Sequence, residues 1–215
     1  MKIEIWSDVV CPWCYIGKRR LEHALGDFEH ANEVEITWRS FQLNPNTPRG
    51  TAVPTKEYLV QRFGKQATEM SARVADLARA EGLDFNTDAA LTVNTLDSHR
   101  LLHLAHEVGR GDAAKERLLR AHFIEGADLS DPDVLVGLLG EAGVDPDRAR
   151  AVLNSREYAE AVRDDFEEAE RLGANGVPFF VIDRKYGISG AQPAEAFLHA
   201  LRTAYADEDH SAASR

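Results

Sequence analysis

Cys11 and Cys14 are the only 2 cysteines of the chain, and Pro12 and Trp13 separate them. That spacing suits three kinds of chemistry. Two thiols about one helical turn apart can close into a disulfide and reopen, so the pair can carry two electrons. They can also form half of a zinc site, although zinc needs four ligands and no second cysteine pair exists to complete it. Finally, they can be two inert core thiols. The setting argues for the first. Met1-Lys2-Ile3-Glu4-Ile5-Trp6 alternates polar and apolar residues in the manner of a half-buried strand. From Cys11 to about Phe28, residues Ile16, Leu21, Leu25 and Phe28 trace an apolar helical stripe. The pair therefore sits where a strand hands over to a helix. A sulfur there faces unpaired N–H groups and the positive end of the helix dipole, which favour thiolate over thiol. This predicts Cys11 as an exposed nucleophile and Cys14 as the thiol that resolves the mixed disulfide. Pro12 fits the first helical turn, where its missing N–H costs nothing.

The composition is compatible with that chemistry and narrows the partners. With 215 residues, 44% apolar and 28% charged, the chain can bury a core without covalent staples. A formal charge of -11 argues against nucleic acid or an anionic membrane as a general partner. No window approaches the roughly 18 apolar residues that a membrane span requires. The opening strand pattern does not resemble a secretory leader, so a cytoplasmic setting is expected, where closely spaced cysteines are catalytic or metal-binding more often than structural.

The elements that must position the pair follow in a readable order. Glu33 to Phe41 alternates again, with Val34, Ile36 and Trp38 on one face. Strand, helix and strand thus fill about 40 residues, enough for a parallel crossover. From Asn44 to about Gly173 strand signals vanish. Helical patterns replace them around Lys56–Gly64, Lys65–Glu81, Thr92–Val108, Ala113–Glu125, Asp131–Ala142 and Asp147–Asn154, and a longer helix carries Tyr158, Val162, Phe166, Ala169 and Leu172. Ser130-Asp131-Pro132 and Asp145-Pro146 read as caps followed by proline at the first helical position. Gly109 and Gly143 stand where helices would stop. Pro178 opens an apolar strand through Ile182, Asp183 to Tyr186 turns it back as a hairpin, and a last helix follows Gln192-Pro193. Residues 207–215 read as a frayed polar tail.

Four segments together resemble the DsbA-like thioredoxin family, in its cytosolic FrnE-type branch, over nearly the whole chain. They are Trp6-Ser7-Asp8-Val9-Val10-Cys11-Pro12-Trp13-Cys14, Asn94-Thr95 with His99-Arg100-Leu101-Leu102, Gly176-Val177-Pro178-Phe179-Phe180, and Ser189-Gly190-Ala191-Gln192-Pro193. The resemblance implies an α/β thioredoxin-like fold interrupted by a large all-helical insertion. Residues 1–44 and 174–206 would form the thioredoxin-like part, and 45–173 the insertion with its linking helix. It implies Cys11 and Cys14 as a thiol–disulfide redox pair, flanked by Pro12 and Trp13, and Pro178 as a cis-proline. The backbone of Val177 would then be free to pair with an extended substrate segment. No cofactor is implied beyond the redox-active disulfide, with glutathione as a candidate co-substrate. Substrates would be thiols or disulfides, of a protein or a small molecule, and the chain a monomer or homodimer. The same superfamily holds 2-hydroxychromene-2-carboxylate isomerases and kappa-class glutathione transferases, in which a serine typically replaces the first cysteine and binds glutathione. Keeping both cysteines favours disulfide exchange over that alternative.

By the same resemblance Asn94, His99 and Arg100 would face a substrate or glutathione cleft. His99, His103 and His106, at helical spacing, read as hydrogen-bonding residues ahead of metal ligands, and no metal site is assigned. Trp38, Phe41, Phe63 and Phe85 read as core or domain-interface aromatics, and Trp13 as the exposed aromatic best placed to dock a substrate. Secreted DsbA proteins carry histidine where this chain has Trp13, and tryptophan offers the nearby sulfur no positive charge. Trp13→His is therefore expected to make the couple more oxidising in a redox titration; a more reducing variant would contradict the assignment.

Overall fold

The computed structural model describes the backbone of residues 1–213 and the side chains of residues 1–207. The chain opens with β1 (Lys2–Ser7), α1 (Pro12–Gly26) and β2 (Glu35–Ser40). Between Ala52 and Val93 lie β3 (Ala52–Pro54), α2 (Thr55–Phe63), α3 (Gln66–Ala80) and β4 (Leu91–Val93). Helices α4 (Leu96–Glu107), α5 (Gly111–Arg120), α6 (Pro132–Glu141), α7 (Pro146–Leu153) and α8 (Ala159–Arg171) follow. The chain then returns to strand as β5 (Phe179–Ile182) and β6 (Tyr186–Ser189), and ends in α9 (Ala194–Ala213).

One mixed sheet runs in the order β2-β1-β5-β6. β1 pairs parallel with β2 and antiparallel with β5, placing Ile5 opposite both Trp38 and Phe180. Ile3, Ile5, Phe180 and Ile182 pack on Leu21 and Phe28 of the α1 side and on Phe197 and Leu201 of α9. On the other face Trp6, Phe179 and Val181 meet Ala169 of α8 and Ala174. β1 is thus buried on both faces, not one. What alternation marked as its wet side is covered because Glu4, only 3% exposed, is held between Arg39 at 2.6 Å and Arg184 at 2.6 Å. Burial raises the Glu4 carboxyl, but the bonds from the two guanidinium groups outweigh it and hold the group below its usual range.

The intervening segment has its own core, in which Leu101, Leu104, Leu118, Leu135, Leu139 and Val152 are buried. Val9, from the loop before Cys11, is buried in that core too, so the insertion holds the loop that carries the site. Asp131 and Asp145 accept from the N–H of Asp133 and Asp147 at 2.8 and 3.0 Å, with proline in the first turn of both helices.

Four expectations change. The insertion is helical except for a ribbon in which β3 pairs antiparallel with β4; three-residue strands, one containing Pro54, are too short to leave a period-two signal. The helix expected from Thr92 accordingly starts at Leu96. The helix expected through Glu125 stops at Arg120 and continues as one π turn over Ala121–Glu125, closed by Gly126 at φ +68. A Cβ on Gly126 would lie 2.5 Å from the Ala89 Cβ, so only glycine allows both that backbone and that approach. Residues 207–213, expected to fray, continue α9, with the Tyr186 hydroxyl donating to Asp207; residues 214 and 215 lie outside the described part.

Candidate active site

Cys11 is the N-cap of α1, with extended backbone (φ -92, ψ 114) and Pro12 next in the first turn. Its N–H donates to the Asp8 carbonyl at 3.4 Å, and the Cys14 N–H donates to the Cys11 carbonyl at 3.0 Å. These two bonds fold the strand end into the helix start and put both sulfurs at one point. Both cysteines are free thiols. The Val177–Pro178 bond is cis, and the Cys11 thiol donates to the Val177 carbonyl at 3.6 Å. Gly17 lets α1 come this close, since a Cβ there would lie 3.1 Å from the Pro178 Cγ and 3.3 Å from the Phe180 Cζ.

Cys11 is not the exposed nucleophile that its position suggested: it is 3% exposed, against 1% for Cys14. The two sulfurs influence one another and titrate as a pair. The neighbouring Cys14 sulfur and burial push the Cys11 thiol well up. Burial also raises Cys14, but the Cys11 sulfur, the charge of Lys115 and the Ser7 hydroxyl outweigh it and bring that thiol down.

A layer of buried polar groups lies beneath the pair. Asp8, fully buried, accepts from the His99 ring at 3.2 Å and from the Leu43 N–H at 2.8 Å. Burial raises its carboxyl, but His99, Leu43 and the Lys115 charge hold it below its usual range. Lys115 reaches the Ser7 carbonyl at 3.3 Å. His122, in the π turn, is 3% exposed with no partner for Nδ1, and burial pushes it down to about 4, so it is neutral. On the outer side, Pro12 and Trp13 border a cavity of ≈ 430 Å³ between α1 and the α2–α3 hairpin, with Leu43, Phe63 and Met70 at its rim and His122 in its wall. Its lining is largely apolar, and its charged pair, Lys56 and Asp88, is self-compensated at 3.3 Å. The size is that of a pocket for one small organic molecule or a few side chains.

Residues 2–202 match the model of the DSBA-like thioredoxin domain. The chain belongs to that family. A solved probable DsbA oxidoreductase from Streptomyces coelicolor is 44% identical and superposes with a TM-score of 0.91, covering 96% of this chain and 90% of the other. An uncharacterised Bacillus subtilis protein, YwbO, is 28% identical over 93% of this chain and 94% of its own length. The cytosolic disulfide reductase DsbM from Pseudomonas aeruginosa, solved with glutathione, shares the fold at 21% identity and a TM-score of 0.67, over 94% of this chain and 98% of that one.

This DsbA-like chain brings Cys11, Pro12, Trp13, Cys14, Val177 and Pro178 together, and Trp13 is indeed exposed at the cavity rim. Asn94, His99 and Arg100 do not line that cavity. Arg100, 2% exposed, is spent on the backbone: it donates to the carbonyls of Glu157 at 2.7 Å, Ser155 at 2.8 Å and Val152, and pairs with Asp97 at 2.8 Å. Asn94 donates to the Thr47 carbonyl at 2.6 Å and accepts from the Leu96 N–H at 3.0 Å, tying the loop after β2 to α4. His99 acts from below, through Asp8. His103 turns to Asp165 at 3.0 Å, and among the described residues no three His, Cys, Asp or Glu are grouped to hold a metal ion. Phe63, expected in the interior, is 48% exposed.

Asp8, Lys115, His122 and Gly17 were not singled out by sequence as site residues. For Lys115 a signal existed: it lies on the helix face of Ala114, Leu118 and Leu119, all buried. His122 gives a pH test. Between its ordinary 6.5 and its buried value of about 4, the unfolded chain binds a proton that the native state refuses, so stability falls as pH drops through that window, by on the order of 3 kcal/mol. His122→Phe removes this term. Thermal melts of parent and variant should diverge in the variant's favour from pH 6.5 toward 4; a constant difference would contradict neutral burial.

Proposed function

We propose that this DsbA-like protein is a cytoplasmic thiol–disulfide oxidoreductase whose redox couple is Cys11 and Cys14. The observation that carries the reading is the placement of the pair, two free thiols at the start of α1 with the carbonyl before the cis Pro178 at 3.6 Å from the Cys11 sulfur. Such a pair shares one proton readily. As a substrate disulfide arrives, the proton of Cys11 passes to Cys14 and the Cys11 sulfur attacks, releasing one substrate thiolate and forming a mixed disulfide. Cys14 then gives up the proton and attacks the Cys11 sulfur, releasing the second thiolate. The substrate disulfide is reduced, the Cys11–Cys14 disulfide is formed, and the reverse sequence oxidises a dithiol. The potential of the couple against its surroundings sets the direction.

The substrate reading follows from the surroundings. An apolar cavity rimmed by Trp13 favours a disulfide or thiol with apolar flanks, on a polypeptide or a small molecule. The Val177 backbone beside Cys11 supplies an edge against which an extended segment can pair. Glutathione is proposed as the reducing or oxidising co-substrate, and no other cofactor is assigned.

A glutathione redox titration, with alkylation of free thiols read by mass, tests the reading. A reversible two-electron transition in which both cysteines become protected together is expected, and Cys11→Ser abolishes it. Two cysteines that stay alkylatable throughout would overturn the proposal and favour a glutathione-dependent isomerase or transferase.

A further inference from the structure

His122 takes no part in the exchange reaction, and its protein neighbours leave it unanswered. It is 3% exposed, stands in the π turn that follows α5, and has no partner for Nδ1. No described residue bonds its Nε2 either. A buried polar group without a partner costs stability, and native structures keep few of them. π turns set into helices also gather at functional positions. The ring does have one open side. Nδ1 is sealed within the protein, whereas the ring forms part of the wall of the cavity between α1 and the α2–α3 hairpin, so the nitrogen it can present there is Nε2.

The rest of that wall satisfies itself. Among the described residues the lining has two buried polar members, His122 and Thr92, and the Thr92 hydroxyl bonds that of Thr55 at 3.1 Å. Asn44 accepts from Tyr58 at 3.2 Å and from Arg62 at 3.0 Å. Lys56 and Asp88 pair at the exposed rim. What remains is apolar and partly aromatic: Phe85 stacks on Phe123 with ring centroids 4.6 Å apart, and Trp13 stands at the mouth. The aromatic wall favours a flat ring system, and ≈ 430 Å³ accommodates fused rings. A neutral imidazole pairs with a hydroxyl in either ring tautomer, since a hydroxyl both donates and accepts. Negative charge is unwelcome, because Lys56 is already answered and the Asp8 carboxylate is close enough to act on His122.

We propose that this cavity is a binding site for a neutral aromatic molecule bearing a hydroxyl group, its rings held against Phe85, Phe123 and Trp13 and its hydroxyl on His122. The inference deepens the substrate reading above, from apolar flanks in general to one class of small molecule, and rests on that reading only for the consequence that the bound molecule lies beside a reacting sulfur.

Equilibrium dialysis of the intact protein against 2-naphthol, naphthalene and 2-naphthoate tests it. 2-Naphthol should bind saturably, one per chain, about tenfold more tightly than naphthalene, which leaves the imidazole unpaired, and more tightly still than the anionic naphthoate. His122→Phe keeps the shape of the wall and should erase the preference, so that 2-naphthol and naphthalene bind alike. Met70→Ser, at the exposed rim, should weaken both by the same factor; it places them in this cavity even if His122→Phe does not fold. The site would be overturned by absence of saturable binding, by equal parental affinities, or by a preference for naphthoate. A preference for 2-naphthol that survives His122→Phe, or binding indifferent to Met70→Ser, would overturn it equally. Dialysis reads binding without sulfur chemistry, so a failure here leaves the glutathione titration to decide the redox reading on its own.

Discussion

The arrangement depends on one buried carboxylate. Asp8 follows directly on β1, and three attachments radiate from it: its carbonyl receives the Cys11 N–H at 3.4 Å, and its side chain receives the Leu43 N–H beyond β2 at 2.8 Å and the His99 ring of the insertion at 3.2 Å. The strand end, the start of α1, the exit of β2 and helix α4 are thereby fixed to one another at the residue three positions before the first cysteine. A carboxylate held in the dry interior tolerates no loose partner, because each lost bond would leave a buried charge exposed to its full desolvation cost. Val9, buried in the core of the insertion, extends the same attachment by packing. The loop that presents the sulfurs is therefore clamped from both parts of the molecule.

That clamp explains how an acidic protein keeps a site suited to sulfur chemistry. The chain carries a formal charge of -11, yet the buried polar groups gathered near Asp8 are a lysine, two histidines and a single carboxylate that is itself satisfied. Acidic groups are numerous outside this layer, where the Lys18, Arg19 and Glu116 cluster and the Arg39, Arg184 and Glu4 cluster compensate themselves. On the outer side the surroundings change to apolar residues around Trp13. The outer sulfur donates to the Val177 carbonyl at 3.6 Å.

Much of this was legible in the residues. Element order, the proline-capped helices at Asp131 and Asp145, and the strand–cysteine–helix junction follow from local rules of periodicity and capping, and the structure has them. What escaped was non-local. The half-buried reading of β1 failed because two arginines distant in sequence neutralise Glu4, which no pattern within the strand can register. The ribbon of β3 and β4 is too short for its alternation to be seen. Arg100 and His99 carry residue types suited to a ligand cleft, yet one is consumed by backbone carbonyls and the other by Asp8; only the packing of α4 against α7 and the loop after β1 decides that. Burial of Cys11 likewise depends on the segment before Pro178, contributed from the far end of the chain.

The most direct measurement of the central claim is to give the Cys14→Ser protein a small aromatic disulfide and locate the adduct by peptide mass. With its resolving partner removed, Cys11 should carry one stable mixed disulfide per chain, and the matching Cys11→Ser protein should carry none or form it far more slowly. Adduct on Cys14 alone, or on neither sulfur, would contradict the assignment of Cys11 as the attacking member of a working redox pair.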